Sequence, residues 1–64
     1  MLYEIATPSG TTLGHETSQR AALMLACLVS VSQHAPIIVY CPHLGGHTHI
    51  VARLNDGELL PLSA

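Results

Sequence analysis

Ile37-Ile38-Val39-Tyr40-Cys41 is a run of apolar and aromatic side chains with no charged or amide group in it. β-Branched residues are stiff at χ1 and fit a pleated backbone better than a helix. A strand apolar on both faces belongs at the centre of a sheet. Pro36, just before it, disfavours helical geometry at Ala35 and separates the run from whatever precedes it. Gly45-Gly46 and a second strand, His47 to Leu54, follow closely. This hairpin organises the chain, and everything else has to be placed against it.

Leu2-Tyr3-Glu4-Ile5-Ala6 alternates and reads as a strand, with Leu2, Glu4 and Ala6 pointing one way and Tyr3 and Ile5 the other. Thr7-Pro8-Ser9-Gly10 is turn chemistry, and Thr11 to His15 pairs back as a second strand. Thr17 and Ser18 are N-cap residues for a helix from Gln19 to Gln33. Ala21, Met24, Leu25, Leu28 and Val31 form one apolar stripe on it. Ala22, Leu23, Ala26, Cys27 and Ser30 make the other side small and mostly apolar, suited to close approach by a second helix. Asn55-Asp56-Gly57 is a hairpin signal, and Glu58 to Leu62 the last strand. The expected fold is a single α+β domain over residues 1–64, ββαβββ in order, an antiparallel sheet with one helix packed on one face.

The chain has 64 residues, of which 48% are hydrophobic and 9% charged. A domain of this size buries only about 60% of its unfolded surface. That much apolar surface has too little interior to enter, so a homo-oligomer, most simply a dimer, is expected. Lys and Arg together number 2, Arg20 and Arg53. Unless a multimer clusters them, so few cations build neither a nucleic-acid footprint nor a polybasic membrane patch. No apolar run approaches the ~20 residues needed to span a bilayer. Two cysteines, Cys27 and Cys41, without a signal-peptide pattern point to a reduced, cytoplasmic setting.

Cys41, His43, His47 and His49 lie close together around the glycine pair. Zinc takes about four nitrogen or sulfur ligands in a tetrahedron. With a three-residue loop, Leu44-Gly45-Gly46, His43 faces His47 and Cys41 faces His49, and all four ligands share one face. With a two-residue loop, Gly45-Gly46, Cys41 faces Ile50, Val39 faces Ala52 and Ile37 faces Leu54. Cys41 then enters the core, and His49 points outward with Ile38, Tyr40, Val51 and Arg53. The glycine pair and the apolar matching favour the second register.

The expected function is a non-enzymatic protein-interaction module, self-associating, that binds a protein partner through its sheet face or edge. Ile38, Tyr40, His49, Val51 and Arg53 are the partner-binding candidates. No cofactor is expected on this reading. The alternative is a zinc-binding protein using Cys41, His43, His47 and His49. A Cys–His pair could act as nucleophile and base, but no oxyanion-stabilising or phosphate-cradling motif accompanies it, so enzyme activity is not expected. The ββαβββ order, with its late hairpin at Asp56-Gly57, also resembles several small phage- or plasmid-encoded inhibitors of host defence, including some anti-CRISPR proteins. That resemblance spans the whole chain as an order of elements. It implies a third function, inhibition of a defence system, and carries over no functional residue.

Overall fold

The computed structural model describes residues 2–42 and 48–61. Five strands and one helix follow in the expected order: β1 (Tyr3–Ala6), β2 (Thr12–Glu16), α1 (Gln19–Gln33), β3 (Pro36–Pro42), β4 (Thr48–Asn55) and β5 (Glu58–Leu60). They make one sheet in the order β2-β1-β3-β4-β5, with antiparallel neighbours throughout. The apolar run at Ile37–Cys41 is therefore the central strand, flanked by two strands on each side. The link from β2 to β3 carries α1 across one face.

Local chemistry fixes the connections. At the first turn Thr7 N–H donates to Thr11 O (2.9 Å) and Gly10 N–H to Thr7 O (2.9 Å), with Gly10 at φ +100°. Ser18 caps the helix, its Oγ accepting from Ala21 N–H at 3.1 Å. The helix stops before Pro36, at His34, which is left-handed (φ 50°). His34 N–H donates to Val31 O and Ala35 N–H to Ser30 O, both at 3.3 Å. This paired arrangement satisfies the carbonyls that a helix end would otherwise leave bare.

The core forms between α1 and the inner face of the sheet. Ile5, Ile37, Val39, Ala52 and Leu54 come from the strands, and Ala22 and Ala26 from the helix. This corrects the expected orientation of α1. The small side, Ala22, Ala26 and Ser30, lies against the sheet, while Met24, Leu28 and Val31 face outward at 60%, 68% and 46% exposure. The sheet explains the choice. Its branched side chains already fill the interlayer space, so the helix fits only with alanines beneath it, and Leu23, Leu25, Cys27 and Val29 pack along its flanks.

The small side also carries a polar clasp. Ser30 is fully buried. Its hydroxyl donates to Cys27 O (2.9 Å) and accepts from Gly57 N–H (2.8 Å), joining the helix to the β4–β5 turn. Cys27 Sγ donates to Gly57 O at 3.6 Å. Gly57 has φ +83°, and a Cβ there would stand 2.6 Å from Val31 Cγ2. Only glycine fits both the backbone and the space.

Candidate functional site: the outer face of the sheet

The β3–β4 hairpin joins both registers that the sequence offered. Ile37 pairs with Leu54, Ile38 with Arg53 and Val39 with Ala52. The register then shifts, and Tyr40 pairs with Ile50, Cys41 with His49 and Pro42 with Thr48. Val51 is the extra residue of this β-bulge. A bulge places two residues opposite one and re-aims the side chains beside it. The core end of the hairpin thus keeps its apolar matching, while the far end adopts the pairing of the longer loop.

The bulge changes which of the candidate partner-binding residues share the outer face. Directly opposed residues share a face. Ile38, Tyr40 and Arg53 lie on the outer face, as expected. His49, opposite buried Cys41, belongs to the inner side, and Val51 packs against the core. The outward placement of His49 and Val51 is therefore corrected, and Ile50 takes their place. A one-residue bulge reverses every later residue of a strand, and no residue type in Thr48–Asn55 announces it.

The other strands complete the outer surface. Glu4 pairs with Tyr40, and Ala6 with Ile38. His15 lies opposite Glu4, and Thr12 opposite Ala6. Leu60 lies opposite Arg53, and Glu58 opposite Asn55. Two cross-strand rows result, His15–Glu4–Tyr40–Ile50 and Thr12–Ala6–Ile38–Arg53–Leu60. Ala6 is buried yet stands outside the core cluster. No helix among the described residues lies over this face.

The centre of the face is apolar and its charges are divided. Glu4 is on one side of β3 and Arg53 on the other. The His15 imidazole Nε2 lies 3.2 Å from Glu4 Oε1 across the β1–β2 pair. Both side chains are substantially exposed, so this pair orients Glu4 more than it stabilises the fold.

Of the four zinc candidates, Cys41 and His49 are cross-strand partners, with Cys41 buried and His49 exposed. His43 and His47 lie outside the described residues. Among the described residues no group of three or more His, Cys, Asp or Glu side chains converges as a metal site would require. Cys27 and Cys41 are both free thiols. No described helix is long and apolar enough to cross a membrane. Compared with protein-family models, curated proteins and solved structures, the chain matches none.

Proposed function

We propose that this protein is a non-enzymatic interaction module that self-associates through the outer face of its sheet. The supporting observation is a sheet surface that no described helix covers, carrying Ile38 and Tyr40 on its central strand with Ile50 and Leu60 beside them. Ile50 and Leu60 are 36% and 37% exposed in a chain with little charge to keep such surfaces apart. Aromatic, aliphatic and arginine side chains are the usual anchors of protein interfaces, and Tyr40 and Arg53 stand within this patch.

Sedimentation from micromolar to millimolar protein tests the reading. The mass of wild type should rise with concentration above the 6.8 kDa of one chain. Ile38→Thr with Tyr40→Thr, which keeps strand-forming residues, should return it to one chain without changing the circular dichroism spectrum. Leu28→Ser, on the outward side of α1, should leave the mass of the assembly unchanged. A wild type that stays at one chain throughout refutes the reading.

Zinc binding is a second reading, favoured by one observation. The bulge sets Cys41 opposite His49, the pairing that a four-ligand hairpin requires. Elemental analysis of untagged protein, with a Zn²⁺ titration followed by thermal unfolding, decides it. Metal-free protein whose stability ignores zinc rules it out.

A further inference from the structure

Resting on the proposed self-association, we infer that the occupant of the outer face is a second copy, related by a two-fold axis parallel to β3. Glu4 then faces the partner's Arg53 on both sides of the axis.

The argument begins with strand order. β3 is central, so a two-fold axis along it lays β3 over β3, β1 over the partner's β4 and β2 over the partner's β5. Glu4 and Arg53 sit on opposite sides of β3, on β1 and β4, and so come to face each other twice. Glu4 lies at the level of Tyr40 and Arg53 at the level of Ile38, an offset of about 7 Å along the strand. An extended arginine side chain bridges such an offset. A carboxylate has several acceptor positions, so Glu4 can hold His15 and the partner's Arg53 together.

The alternative axis, across the strands, lays β1 over β1 and β4 over β4. It keeps acid beside acid and cation beside cation, so the charges select the first arrangement. Sheets stacked face to face keep their strands within about 30° of each other, which a near-parallel two-fold supplies.

Charge reversal tests the geometry. Glu4→Arg alone and Arg53→Glu alone each set like charges against one another, and each should weaken self-association by about tenfold or more. An equimolar mixture of the two variants restores both pairs, one with its original residues and one with the charges exchanged, and should form a heterodimer of wild-type strength. The double variant Glu4→Arg/Arg53→Glu should self-associate again. Glu4→Gln mixed with Arg53→Gln, which fold without new charges, should show weakening and no recovery. Self-association in wild type without recovery in the charge-reversed mixture overturns this arrangement and leaves the proposed function standing. Single variants that associate like wild type do the same. A monomeric wild type defeats both.

Discussion

The two faces of this sheet are made from alternate residues of the same strands, yet they solve different problems. The inner face carries Ile5, Ile37, Val39 and Leu54 and is sealed by a helix that brings alanines and a serine. The outer face carries Ile38, Tyr40, Ile50 and Leu60 around Glu4 and Arg53, with no described helix over it. Large residues on the sheet demand small residues on the helix, and the displaced large helix residues, Met24 and Leu28, end in solvent. One face is closed by complementary volume. The other keeps apolar side chains over which no described helix lies.

Adjacent residues of β3 offer the sharpest way to break this contrast. Ile37→Ala should lower unfolding free energy by about 2–5 kcal/mol, because it opens a cavity in a fully buried site. Ile38→Ala should cost the isolated chain much less, and its larger effect should appear as lost dependence of stability on protein concentration. Urea denaturation at two protein concentrations checks both. Equal losses at 37 and 38 would mean that the outer face is as closed as the inner.

The helix gives a second contrast. Ala26→Leu adds volume where the helix touches the sheet and should destabilise by about 1–3 kcal/mol or more. Leu28→Ala removes far more side chain but should change stability by no more than about 0.5 kcal/mol in the monomer. Thermal unfolding of the pair tests which side of α1 is buried. Ser30→Ala should cost about 1–3 kcal/mol, well above Leu28→Ala. It strips Gly57 N–H of its acceptor, and hydrogen exchange at that amide should speed up with it.

Much of the fold was legible in residue order. Pro36 before a β-branched run marked the central strand, Ser18 marked the helix start, and Asp56-Gly57 marked the last hairpin. Orientation was harder to read. A helix apolar on both sides gives no periodic signal for which side turns inward, so the choice between Ala22/Ala26/Ser30 and Met24/Leu28/Val31 fell to the sheet beneath it. The candidate site was half legible for a similar reason. Ile38, Tyr40 and Arg53 follow from strand alternation counted from the core end of the hairpin. His49 and Ile50 depend on a shift at Val51 that alternation cannot reveal. Glu4, Ala6 and Leu60 join the face only through the strand order, a long-range property of the folded chain.

The bulge at Val51 also bears on how this protein could change over time. It divides the hairpin into two independently registered parts. Removing Val51 would leave every remaining β3–β4 pair opposite its present partner, from Pro36–Asn55 to Pro42–Thr48. A length change at that position is thus absorbed without moving the core residues Ala52 and Leu54 or reversing the far end. The half of the strand pair that builds the fold keeps its own count of residues, independent of that one position.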